Sequence, residues 1–93
     1  MELKDTSLLQ AYIQEHVPTP WNQGNITQGT YEVRAQRLGI AVHLHINEDG
    51  TTLTIHGGNY SLAETIVVLA FYHEALDAAA RIQAFVDRYK HNA

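Results

Sequence analysis

Residues 30–57, TYEVRAQRLGIAVHLHINEDGTTLTIHG, alternate apolar and polar side chains for most of their length. A period of two marks strands with one buried face. Leu38-Gly39 and Asp49-Gly50 interrupt it with turn chemistry. Two-residue loops at both places set the registers. Arg37 then sits opposite Ile40, and Glu48 opposite Thr51. Tyr31–Ile46–Leu53, Val33–Leu44–Ile55 and Ala35–Val42–Gly57 form rows on one face; Glu32–His45–Thr54 and Arg34–His43–His56 form rows on the other. A slip of one residue in either hairpin would mix the faces, which burial of one side forbids. A three-residue loop with a glycine bulge over Asn47–Thr51 ranks second, because it breaks this match.

The flanking segments read as helices. Residues 6–17 carry an apolar stripe at helical spacing, Leu9, Tyr12, Ile13 and Val17, with Asp5, Thr6 or Ser7 as caps. Pro18 and Pro20 stop this helix, and residues 18–29 are expected to be loop. Ser61-Leu62-Ala63-Glu64 is a capping box, and the chain from 62 to about 91 has no glycine or proline. The expected class is α+β in the order α-β-β-β-α. A three-stranded antiparallel meander carries a short N-terminal helix and a long C-terminal helix, straight or kinked near His73–Leu76, on one face. Residues 1–93 are expected to be a single domain.

The long helix has two apolar stripes on nearly opposite sides. Leu62, Ile66, Leu69, Leu76 and Ala80 form one; Val68, Phe71, Ala75, Ala78, Ile82, Phe85 and Tyr89 form the other. The second set has the alternating three-and-four spacing of a helix–helix seam. About 30 residues span about 45 Å, whereas strands of about seven residues span about 23 Å, so the helix must overhang its sheet. The first stripe is expected on the sheet. The second is expected to be covered partly by the first helix and partly by a second chain, as a homodimer interface.

His43, His45 and His56 share the polar face in this register. An HxH pair plus a third histidine on the neighbouring strand can hold a tetrahedral zinc with one open position. The layout resembles, in local geometry, the zinc site of alpha-carbonic anhydrases. Glu32 beside His45 would orient it, and Arg34 beside His43 would oppose a cation. Solvated polar positions on an open sheet are the plainer reading; metal binding, pH sensing and partner contact by Glu32 or Arg34 are the functional ones. Trp21 is either a loop staple or an exposed anchor for a partner.

Composition narrows the classes further. Six basic residues stand against ten acidic ones, without a basic run, so nucleic-acid binding is not expected. The element order resembles that of double-stranded-RNA-binding domains, which implies a phosphate grip at the start of the last helix. Here that stretch is Ser61-Leu62-Ala63-Glu64-Thr65-Ile66, which lacks a basic residue. There is no cysteine, G-x-S-x-G or phosphate-cradling loop, so no catalytic chemistry is expected. The apolar run from Leu62 to Tyr72 is too short to span a bilayer, and MELKDTSLLQ lacks the pattern of a secretion signal. The expectation is a cytoplasmic, non-enzymatic protein-interaction module of adaptor or inhibitor type, dimerising through its long helix. It would need no cofactor, with a zinc or pH-sensing site on the sheet as the alternative.

Overall fold

The computed structural model describes residues 6–27, 30–47 and 49–91, and the side chains of 7–88 among them. Within these, the order is α1 (Thr6–His16), β1 (Asn25–Thr27), β2 (Thr30–Arg37), β3 (Ile40–Asn47), β4 (Gly50–His56) and α2 (Leu62–His91). The class is α+β, with an antiparallel sheet, a short N-terminal helix and a long C-terminal one. The sheet has four strands in the order β1-β2-β3-β4, not three. Three-residue β1 falls inside the expected loop; it is too short to show a period. Its Ile26 pairs with Tyr31 and packs on the core. Gly24 leads into it where a Cβ would strike the Glu32 carbonyl and the Tyr31 ring.

The β2–β3 hairpin forms in the expected register, from Tyr31–Ile46 to Arg37–Ile40. Leu38 and Gly39 both take positive φ, 52° and 79°, which lets a two-residue turn follow the strand twist. The β3–β4 hairpin differs. Asn47 pairs with Gly50, Ile46 with Thr51, Leu44 with Leu53, Val42 with Ile55 and Ala41 with His56. Every partner is displaced by two residues from the expected rows. A shift of two keeps each side chain on its face, so alternation cannot detect it. The turn decides instead. Asn47 Oδ1 accepts from the N–H groups of Asp49 and Gly50, at 2.8 and 3.0 Å. Gly50 holds φ at 148°, which side chains disfavour. Glu48, expected opposite Thr51, lies outside the described residues.

One face of the sheet buries Tyr31, Val33, Ala35, Ile40, Val42, Leu44 and Ile46 beneath both helices. Helix α2 is continuous from Leu62 to His91 and lies along β3. Its fit reverses the expected use of the two stripes. Phe71, Ala75, Ala78 and Ile82, with Ala79 and Val86, are buried in the chain's own core; Val68 and Phe85 pack half-buried against it. The side chain of Tyr89 lies outside the described residues. Phe71, Ala75, Ala78 and Ile82 therefore cannot form a subunit interface in the folded chain. Alanines 75, 78 and 79 let the helix settle closely on the sheet, and this stripe runs the length that the sheet and α1 can cover. The Tyr12 ring of α1 stacks on Phe85 at 4.5 Å, and Arg81 Nη1 donates to the His16 carbonyl at 3.1 Å. Thr51 Oγ1 lies 2.6 Å from Gln83 Oε1, tying β4 to the second half of α2. Among the described residues no helix is long and apolar enough to cross a membrane.

The capping box forms as expected. Glu64 N donates to Ser61 Oγ at 3.2 Å, and Ser61 N donates to Glu64 Oε1 at 3.1 Å. Ser61→Ala should lower the unfolding free energy by about 0.5–2 kcal/mol, read as a lower urea midpoint. The Ser61 N–H, then its hydroxyl, hold the Glu64 carboxyl below its ordinary pKa. A depressed pKa stabilises the fold above the unfolded carboxylate pKa, and that contribution disappears as pH falls through the folded value.

Candidate functional site

Two surfaces carry residues that the core does not use. The first is the outward side of α2. Leu62 is 84% exposed, Ile66 67%, Leu69 53% and Leu76 40%. These are the stripe expected on the sheet; the structure turns it to solvent. With His73 and Ala80 they recur every three or four residues, so they share one face. The second half of the same helix is ordinarily amphipathic, with Asp77, Arg81, Asp87 and Arg88 exposed. The apolar band continues sideways onto the sheet. A groove of about 250 Å³ lies between α2 and β3–β4, lined by Ile40, Val42, Ile55, Val68, Leu69 and Tyr72. Ile55, expected beneath the helices, is left 45% exposed, since α2 follows β3 and only skirts β4.

The second surface is the polar face of the sheet. Glu32 on β2 faces His45 on central β3, and Arg34 faces His43. His45 Nδ1 lies 3.0 Å from Glu32 Oε1, and His43 Nε2 lies 4.0 Å from Glu32 Oε2. The two imidazoles meet edge-on at 6.3 Å. Glu32, His43 and His45 each offer a ligand atom within 4.8 Å of the others. Both histidines are half-buried, and the carboxylate is exposed. The trio expected from sequence is thus corrected. His43 and His45 come together, but His56 faces Ala41, because β4 is displaced by two residues. Thr54 and Thr52 take the places opposite His43 and His45. The membership of Glu32 was legible in the β2–β3 register, where it sits opposite His45. It counted there as an orienting partner rather than a ligand.

Trp21 is not a partner contact. It is fully buried, with its ring 5.2 Å from Phe71, and it staples the loop to the core. The Tyr31 hydroxyl donates to the Trp21 carbonyl at 2.6 Å and accepts from Gly24 N–H at 2.9 Å. Burial raises the Tyr31 pKa, opposed by the Gly24 bond. This phenol borders a polar cleft of about 240 Å³ between α1 and β1, lined also by Gln10, Gln14, Asn22 and Asn25. The Tyr31 hydroxyl is engaged on both sides by these two bonds. The first turn of α2 carries Glu64 and no basic side chain. Comparison with protein-family models, curated proteins and solved structures finds no match to this chain.

Proposed function

We propose that this chain is a non-catalytic interaction module that associates with a second copy of itself through the outward face of the first half of α2. The supporting observation is that Leu62, Ile66, Leu69 and Leu76 stand exposed on one face of α2, away from the face on which Phe71 and Ala75 are buried. A contiguous patch of exposed aliphatic side chains of this size marks an interaction surface. The seam Leu62–Ile66–Leu69–His73–Leu76 suits a second copy because it is self-complementary. In an antiparallel pair with its two-fold axis at Leu69, Leu62 of one copy meets Leu76 of the other. The groove beside Leu69 and Tyr72 can receive a side chain from the other copy.

The area places the contact in a size class. The exposed aliphatic side chains, with half-buried Val68 and Tyr72, offer on the order of 500 Å² per copy. Two copies bury about 1,000 Å², the lower limit of a specific interface. Interfaces at this low end are typical of weak, transient association, so a dimer dissociating in the micromolar range is expected. Sedimentation of the wild type from low to high micromolar concentration should show the monomer–dimer transition. Ile66→Glu places a charge in the seam while leaving the exposed monomer surface unstrained, so it should remain monomeric with unchanged circular dichroism. A wild type that is still monomeric at millimolar concentration would end this reading.

A further inference from the structure

We infer that Glu32, His43 and His45 form a binding site for a divalent transition-metal ion, with zinc the best match and one coordination position left for an anionic ligand. The inference is independent of self-association, since it uses the opposite face of the sheet.

Ligand chemistry comes first. Two imidazoles and a carboxylate are borderline donors that suit zinc, and calcium or magnesium would call for oxygens alone. Three protein ligands leave an open site rather than a closed structural one.

Geometry follows. Two ligands of one tetrahedral zinc stand about 3.4 Å apart, for bonds of about 2.1 Å. The three donor atoms lie within 4.8 Å of one another. Closing that gap takes up to about 1.4 Å of movement, shared among the three side chains. Glu32 is exposed and free to make it. The histidines need not move far, because both stand on β3, which is hydrogen-bonded on both sides. Side chains on a paired strand are held more exactly than those on a loop. Glu32 Oε1 lies 3.0 Å from His45 Nδ1.

Charge sets what completes the site. Two neutral imidazoles and one carboxylate leave a bound zinc with one net positive charge. Arg34, opposite His43 on the same face, adds a second cationic group. Arg34 opposes a bare cation and favours an anion on the open position. Thr52 and Thr54 flank the histidines with hydroxyls rather than with further ligands.

The test uses untagged full-length protein and cobalt(II), a zinc surrogate with visible absorption. Wild type should bind one ion per chain, with the intense spectrum of a four- or five-coordinate centre. Zinc should displace cobalt and raise the melting temperature, because a ligand of the native state stabilises it. His43→Ala, His45→Ala and Glu32→Gln should each weaken binding by more than the roughly 10–100-fold that a lost outer partner costs. His56→Ala should bind as wild type does. Inorganic phosphate should change the cobalt spectrum in wild type and less so in Arg34→Gln. Several results would overturn the site: no stoichiometric binding by folded wild type, retention in His43→Ala or His45→Ala, or equal loss in His56→Ala. A phosphate-insensitive spectrum would overturn the open position.

Discussion

Ile82→Glu should unfold the protein rather than dissociate a dimer. Ile82 is 0% exposed, on the side of α2 that faces the core. The substitution removes an aliphatic side chain, which costs about 2–5 kcal/mol by itself. It also places a carboxylate among the buried apolar side chains of the core. An unpaired buried charge costs several kcal/mol more, or forces protonation. A domain of this size has about 5–14 kcal/mol in total. The expected result is loss of the far-ultraviolet helix signal at 25 °C in the absence of denaturant. The contrast with Ile66→Glu is the informative part. Both substitutions put the same charge on the same helix, yet one should abolish the fold and the other only association. A folded, monomeric Ile82→Glu protein would mean that this face of α2 points away from the core.

Trp21→Ala should cost about 3–5 kcal/mol, the usual loss for a large aromatic side chain emptied from a core. Trp21 heads the set of largest fully buried side chains, and it joins the loop after α1 to Phe71 of α2. The loop has no other large apolar anchor between Val17 and Ile26. Its loss should also loosen β1, whose entry at Gly24 is tied to the Trp21 carbonyl through the Tyr31 hydroxyl. Indole Nε1 is buried without a hydrogen-bond partner among the described residues. Trp21→Phe removes that unsatisfied donor while keeping an aromatic ring, so it should cost much less than Trp21→Ala. Urea midpoints of the two variants give the comparison. The wild-type emission is a second check, because Trp21 is the sole tryptophan. A spectrum typical of a solvated indole would contradict the buried placement.

Much of this architecture is local, and local features are legible. Alternation assigns each residue of 30–57 to a face, because burial of one side penalises any odd slip. Leu38-Gly39 closes its hairpin where the pattern places it, and Glu32 opposite His45 follows. Ser61 and Glu64 cap α2 through bonds within one turn. The start of the long helix is therefore a property of the chain itself, while its continuity through His73–Leu76 is seen only in the fold.

Three features depend on the tertiary structure. Strand β1 is three residues of sheet edge, too short for a period, and it exists because Tyr31 and the core accept Ile26. The position of β4 is set by how the Asn47 side chain folds over the turn, since a shift of two residues leaves both faces unchanged. That shift removes His56 from His43 and makes Glu32 the third member of the cluster. The choice between the two stripes of α2 is also tertiary. Both are apolar, so hydrophobicity does not rank them. The stripe rich in alanine approaches the sheet closely and extends far enough to meet β3, β4 and α1. The leucine-rich stripe is thereby left to solvent, and the candidate interface lies on the side of the helix opposite to the one that its seam spacing favoured.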